Sequence, residues 1–366
     1  MQQRGPAIAL EPDLVGALTP LISSHFDSET NAIQSRLIAG SRPRARNSKL
    51  RVALNNVALE NFAGSELWTA DTAKYLKTAG IDVIVYSPTT GLVAETIRQA
   101  GIEVTSSLDR VEAFEPTILH VNHFESTLPL INRLGGRPVL INMVHGLLPR
   151  PGLPGYTGVD HYCCVSIHAK AKTHVLTGVP WADIETLPNF FDERRFTEIS
   201  NPACGGKALL LSSRTPPERR EQLRTLLSPL GFQLDHIGYG GQPSAEPEQW
   251  LAGYDIVFAV GRSAIEGLAS GAHVILWDFG IIGPAVTRDN FWQCVTSNFD
   301  LASNTLPWNF IDAPDATNWI REQVQKIGKE SRSETTRLTR TYLPLSAAGC
   351  RLLEMYDRHL ILDRST

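Results

Sequence analysis

The chain has 366 residues, enough for two domains of roughly 150 residues with extensions. Its 42% hydrophobic and 20% charged content is that of a globular protein, and a formal net charge of −4 excludes the basic footprint of a nucleic-acid binder. Five cysteines, at positions 163, 164, 204, 294 and 350, form neither a Cys-x-x-Cys pair nor a metal-ligand spacing, which argues against a disulfide framework and for reduced thiols in a cytoplasmic protein.

Residues 1–48 read as a helical extension. They lack the basic, apolar and small-residue regions of a signal peptide, and no apolar run in the chain approaches the ~18 residues that span a bilayer. Leu14, Leu18, Leu21, Ile22 and Phe26 follow helical spacing, Ile33 with Leu37 suggests a second short helix, and Pro20 is expected to kink or break the first. The linker Ser41-Arg-Pro-Arg-Ala-Arg-Asn-Ser-Lys-Leu-Arg51 carries five basic residues and no acid. Two readings of it stay open. One is peripheral contact with anionic lipid head groups at the inner face of a membrane. The other is a solvated linker whose helices pack on the body or on a second copy, making a homo-oligomer.

From residue 50 the chain alternates between strand and helix. Strands are predicted at 51–56, 82–87, 117–121, 138–144 and 162–165, and helices at 66–78, 93–100, 126–133 and 167–176. After a linker around 187–206, strands follow at 208–212, 233–237, 256–260 and 273–277, with helices at 217–227, 247–251, 314–328 and 345–361. Apolar strands alternating with helices imply an α/β fold of two Rossmann-like domains, each with a mostly parallel sheet, facing each other across a cleft. The expected boundaries are an extension and linker at 1–48, a first domain at 49–200, a second at 201–342, and a last helix at 343–366.

The segment Tyr254-Asp-Ile-Val-Phe-Ala-Val-Gly-Arg-Ser-Ala-Ile-Glu-Gly-Leu-Ala-Ser-Gly-Ala-His-Val-Ile-Leu-Trp-Asp278 carries the clearest chemistry. It reads as a buried strand, a short turn through Arg262, a helix opening with Ser263, a glycine stop and a second strand. The turn would expose backbone N–H groups beside a helix N-terminus, a natural place for phosphate. Glu266, in the first helical turn, can accept hydrogen bonds from a pair of hydroxyls. Amides for phosphate beside a carboxylate for hydroxyls suit a nucleotide.

Other segments are weaker alone. Ile118-Leu-His-Val-Asn-His123 and Asn142-Met-Val-His-Gly146 place His123 and His145 at carboxyl ends of predicted parallel strands, where α/β ligand sites gather. Their ordinary reading is a capped or core histidine. Leu209-Leu-Leu-Ser-Ser-Arg-Thr-Pro-Pro-Glu-Arg219 sets Arg214 and Arg219 at a strand-to-helix junction. A positive pair there opposes the helix dipole, so an anionic ligand explains it better than a solvated helix start. Gly64-Ser65-Glu66 reads as a helix cap, and Gly238 in His236-Ile-Gly-Tyr-Gly-Gly241 as a turn.

Together these segments resemble GT-B glycosyltransferases, above all glycosyltransferase family 4 (group 1), over residues 50–360. The 254–278 segment is similar to that family's donor-binding element, often Glu-Ala-Met-Ala-x-Gly-x-Pro-Val-Ile. Asn55-Asn-Val-Ala-Leu-Glu-Asn-Phe-Ala-Gly-Ser-Glu66 resembles its first strand and glycine loop. The likeness implies that Gly64 and Ser65 approach the donor phosphate and sugar, and that Glu66 and His123 contact acceptor or sugar. It places His145 by the reacting sugar. Arg214 and Arg219 have the spacing of the family's pyrophosphate-binding Arg and Lys, and Gly238 would let the base approach the backbone. Leu187-Pro-Asn-Phe-Phe-Asp192 is similar to the family's hinge, with Phe190 in place of glycine, and 342–356 to the last helices that cross back to the first domain.

One departure matters. The family usually carries two glutamates separated by seven residues, and the first would fall at Phe258, inside the predicted strand. Glu266 therefore inherits only the ribose role, while Arg262 and Ser263 fill a shortened turn as phosphate or sugar contacts. The resemblance implies a glycosyltransferase that retains anomeric configuration, moving sugar from a nucleotide-sugar donor to a glycan or lipid-linked acceptor in polysaccharide or glycoconjugate biosynthesis. No Asp-x-Asp occurs, so metal-independent stabilisation by Arg214, Arg219 and helix N-termini is expected, with no cofactor. A nucleotide-sugar epimerase or hydrolase of the same fold, and a nonenzymatic component of a polysaccharide assembly, are the alternatives.

Overall fold

The computed structural model describes residues 12–40, 50–62, 64–122, 127–136, 138–146, 158–198, 205–213, 215–238, 241, 246–251, 253–301, 305–329 and 332–362. His123 and Arg214 lie outside them. The chain divides into two compact units, one of Met1–Glu29, Ser41–Leu187 and Gly349–Thr366, the other of Thr30–Gly40 and Pro188–Ala348.

The first helix, α1 (Pro12–Ala39), runs unbroken for 28 residues with Pro20 inside it. The break expected at Pro20 and the separate second helix are therefore corrected to one element. Proline removes one backbone donor and crowds the preceding turn. Burial on either side outweighs that cost. Leu18, Ile22 and Phe26 pack with Ile167 and Ala171. Glu29, itself buried, accepts from Lys170 Nζ at 2.9 Å and Thr186 Oγ1 at 2.7 Å. Ile33 and Leu37 belong to an apolar cluster of the second unit.

In the first unit, strands β1 (Arg51–Asn55), β2 (Ala58–Leu59), β3 (Asp82–Tyr86), β4 (Thr89–Thr90), β5 (Glu103–Thr105), β6 (Ile118–Val121), β7 (Val139–Val144), β8 (His161–Cys164) and β9 (Ile184–Thr186) alternate with helices α2 (Gly64–Thr78), α3 (Leu92–Gln99), α4 (Leu108–Phe114), α5 (Leu128–Leu134) and α6 (Ile167–Thr177). Seven strands form a parallel sheet in the order β5-β3-β1-β6-β7-β8-β9, and β2 pairs with β4. β1, β6 and β7 are buried over nearly their whole length, as strands covered on both faces must be. Chain order reverses between β1 and β6, and at such a switch point the carboxyl ends of the strands open a crevice for ligands.

The second unit repeats the scheme. It holds β10 (Lys207–Leu211), α7 (Pro217–Leu227), β11 (Gln233–Ile237), α8 (Glu248–Leu251), β12 (Ile256–Ala259), α9 (Gly261–Ala269), β13 (His273–Asp278), β14 (Ile281–Ala285), α10 (Phe291–Thr296), β15 (Asn309–Phe310), α11 (Ala316–Lys329) and α12 (Arg332–Tyr342). Sheet order is β11-β10-β12-β13-β14-β15, with the first four strands parallel and the last two antiparallel. The switch point lies between β10 and β12. Gly267 lets α9 lie close on the sheet, since a Cβ there would stand 3.2 Å from Val274 Cγ2 and 3.4 Å from Val257 Cγ1.

The closing helix α13 (Leu345–Leu362) groups with the first unit from Gly349 onward. A Cβ on Gly349 would stand 2.2 Å from the Tyr75 ring, so only glycine lets α13 lie this close to α2. Deeper in, Tyr356 Oη and His120 Nδ1 are 2.5 Å apart. No helix among the described residues is long and apolar enough to cross a membrane.

Candidate functional site

Each unit places sequence-predicted residues at the carboxyl edge of its own parallel sheet. In the first unit these centre on His145, one residue past β7. Its Nε2 lies 2.8 Å from Asn122 Oδ1, and Asn122 stands one residue past β6. The Asn122 backbone N–H donates to Asn55 Oδ1 at 2.8 Å, and its Nδ2 donates to the Asn55 carbonyl at 2.8 Å and to Thr69 Oγ1 at 3.2 Å. Asn55 Nδ2 donates to Thr127 Oγ1 at 2.9 Å, and Asn56 Nδ2 to Thr69 Oγ1 at 2.9 Å. Thr69 Oγ1 in turn donates to the Ser65 carbonyl at 2.8 Å.

The ring of His145 meets Trp68 edge-on, with centroids 5.2 Å apart, and Trp68 also packs against His120 at 5.3 Å. His120 is fully buried, and burial pulls its pKa down to about 3. It is therefore a neutral core residue bonded to α13. His145, in contrast, is half-buried.

Gly64 opens α2, two residues before the predicted start, and a Cβ on it would meet nothing within 4 Å. Ser65 Oγ donates to Glu66 Oε2 at 2.7 Å, so these two candidates are bonded to each other in the first turn of α2.

In the second unit, Gly238 ends β11 against the loop that follows β10. Its φ of 127° is open to glycine, and a Cβ would lie 2.2 Å from the Ser212 carbonyl oxygen. His236 Nε2 lies 2.8 Å from that same oxygen, and its Nδ1 lies 3.3 Å from Arg220 Nη1. Guanidinium only donates, so His236 carries its proton on Nε2. Burial, then the Arg220 charge, lower its pKa against the hydrogen bond to Ser212. Thr215 Oγ1 donates to Ser212 Oγ at 2.9 Å and accepts from Trp277 Nε1 at 3.0 Å.

Arg219 sits in the first turn of α7. Its shaft runs over Gly280, and its Nη1 donates to Asp312 Oδ2 and Gln222 Oε1, both at 3.1 Å. That hydrogen bond holds the Asp312 carboxyl below its usual range. The guanidinium is half-buried and the carboxylate exposed, a pairing that an anionic ligand can replace at little cost.

The turn expected at 261–263 takes a different form. Only Val260 separates β12 from α9, and the helix begins at Gly261 rather than Ser263. The Gly261 N–H donates to the Phe299 carbonyl at 3.0 Å, so this first helical donor is already satisfied by protein. Arg262 and Glu266 are buried together, with Arg262 Nε donating to Glu266 Oε1 at 2.7 Å across one helical turn. The Arg262 guanidinium also lies over the Phe190 ring, 5.7 Å from its centre. Ser263 is half-buried.

Phe299 and Asn298 both adopt left-handed backbone, with φ near 55° and 56°. Asn298 Oδ1 accepts from the Asn189 N–H at 3.1 Å. Asparagine adopts this conformation readily, whereas phenylalanine holds it only where its surroundings enforce it. Sequence reasoning missed Asn55, Thr69, Asn122, Asn189 and Asn298. The one available signal was asparagine at the carboxyl end of two neighbouring strands, β1 and β6.

With this geometry in place, the chain can be set beside known proteins. No protein-family model matches the sequence, and no curated protein sequence matches it either. Solved structures do match. A glycosyltransferase from Rickettsia africae superposes with a TM-score of 0.63 at 16% identity, covering 85% of this chain and 99% of its own. HepE from Anabaena, solved in complex with UDP and glucose, gives 0.57 at 14% identity, covering 84% and 99%. The lipopolysaccharide outer core galactosyltransferase WaaB gives 0.58 at 12% identity, covering 86% and 100%. The fold is accordingly GT-B: mixed α/β, with two Rossmann-like units and a helical N-terminal segment.

Proposed function

We propose that this chain is a glycosyltransferase that moves a sugar from a nucleotide-sugar to a glycan or lipid-linked acceptor. The observation that carries the reading is His145, held half-buried by Asn122, which itself stands at the switch point of the first sheet, in a chain of GT-B fold. In this reading the second unit binds the nucleotide diphosphate. Arg219, with Arg214, offsets the negative charge that develops on the departing diphosphate, in place of a metal. Gly238 gives the base access to backbone, and Glu266 holds the ribose with Arg262 and Ser263 beside it. The first unit binds the acceptor through Glu66 and His123, with Gly64 and Ser65 beside the donor phosphate and sugar, while His145 orients the transferred sugar.

Transfer with retention follows from the likeness to family 4. UDP and glucose in HepE, and galactosyl transfer to lipopolysaccharide outer core by WaaB, make a UDP-hexose and a bacterial glycolipid the first donor and acceptor to try. Residues 41–51 would meet anionic lipid at a membrane's inner face.

One observation favours a nonenzymatic role instead: the Glu266 carboxylate is already engaged by Arg262 inside the protein. A thermal-shift screen of nucleoside diphosphates and their sugars separates the readings, because a ligand of the folded state raises the melting temperature. Stabilisation by one nucleotide and its sugar, followed by transfer to acceptor, supports the proposal. Release of free or epimerised sugar as main product would move the assignment to an epimerase or hydrolase. A flat screen leaves the nonenzymatic role.

A further inference from the structure

The hydrogen-bond network around Asn122 leaves no freedom in how the amide is placed. Its Nδ2 faces the Asn55 carbonyl, which can only accept, so that atom must be the nitrogen. The second Nδ2 hydrogen goes to Thr69 Oγ1, whose own proton is committed to the Ser65 carbonyl. Asn55 cannot offer a substitute arrangement, because its Oδ1 takes the Asn122 backbone N–H and its Nδ2 serves Thr127. Asn122 therefore turns its oxygen, an acceptor, toward His145 Nε2 at 2.8 Å. An acceptor facing the ring requires a proton on that ring nitrogen.

We propose that Asn122 is a positioning residue that fixes His145 in the Nε2–H form. The inference rests on the glycosyltransferase reading for its consequence in turnover, but the tautomer follows from the network alone. A neutral His145 held this way carries no proton on Nδ1. Only the protonated ring could donate there. Trp68, edge-on to the ring, and the β7 backbone complete the placement. Asn122 also ties β6 to β1, so stability alone cannot distinguish positioning from scaffolding.

The test is the tautomer itself, read by long-range proton–nitrogen NMR on the full chain labelled with ¹⁵N-histidine, with His145 assigned through His145→Gln. At pH 8 an ordinary histidine is neutral, its pKa being about 6.5. The expected spectrum shows a protonated Nε2 and an unprotonated Nδ1. A protonated Nδ1 in the unaltered protein overturns the inference without any variant. Asn122→Asp places a carboxylate beside the ring and should raise the His145 titration by about 1–3 pH units, moving the pH–rate profile the same way. Asn122→Ala should mix the tautomers and lower kcat by about tenfold to a hundredfold with little change in KM. An unchanged tautomer and unchanged kcat in Asn122→Ala would likewise overturn it. If no nucleotide-sugar is turned over by the unaltered chain, the transferase reading fails while the tautomer result is still read.

Discussion

The His145 network of the first unit and the Arg262–Glu266 pair of the second occupy comparable places, at the carboxyl edge of a parallel sheet, and they are built in opposite ways. At His145 the asparagines and threonine around the ring hydrogen-bond to one another, and the histidine itself stays half-buried. At Glu266 the helix starts one residue after its strand, which draws both charged groups inside, to 5% and 4% exposure. A buried charge must be paired, so the pair closes on itself. The short connection from β12 to α9 thus turns Arg262 and Glu266 inward.

This contrast can be broken at several points. Glu266→Ala should have the largest effect. It leaves Arg262 buried without its carboxylate, and a cost of about 3–5 kcal/mol is expected in urea unfolding. The double replacement Arg262→Met with Glu266→Leu should recover most of that loss, and failure to recover would mean the pair has a further role. His145→Ala should cost less stability, about 1–3 kcal/mol for the Asn122 oxygen left unpaired, while turnover falls about a hundredfold. A large stability loss there would show that His145 belongs to the core rather than the site.

Acid provides a third lever, with one histidine in each unit. Burial pulls His120 down to about 3 and His273 to about 4. Both bind a proton more readily when unfolded. Stability should be full above about pH 6.5 and should fall toward the folded values, by about 1.4 kcal/mol per pH unit for each histidine. Urea midpoints at pH 7, 6 and 5 measure the slope, and His273→Gln should flatten it. A wild-type profile that is level from pH 7 to 5 would contradict the burial of these rings. The smallest effect belongs to Arg219→Ala, whose ion pair with partly exposed Asp312 should contribute under about 1 kcal/mol to stability. Its consequence should appear in donor KM instead.

Much of the fold was legible because buried parallel strands are continuous apolar runs. The strand Gln233–Ile237 and helix Pro217–Leu227 fall where the pattern puts them. What escaped lacks that pattern. Strands β5 and β9 have three residues each, too few for a periodic signal. Helix α12 buries Thr335, Thr336 and Thr339 beside a single leucine, so its inner face does not read as apolar. Among the candidate site residues, charge or imidazole marked His145, Arg219 and Glu266 in the sequence. Asn55 and Asn122 were silent because an amide acts through its partners, and these two partners are 67 positions apart. Their meaning appears only once β1 and β6 are adjacent.

The most direct test of the account is calorimetric titration of the full chain with UDP, GDP and ADP. Saturable binding of one of them is predicted, weakened by about tenfold or more in Arg219→Ala through loss of a charge-assisted hydrogen bond. Binding of none of the three would contradict a donor site in the second unit, and with it the proposed sugar transfer.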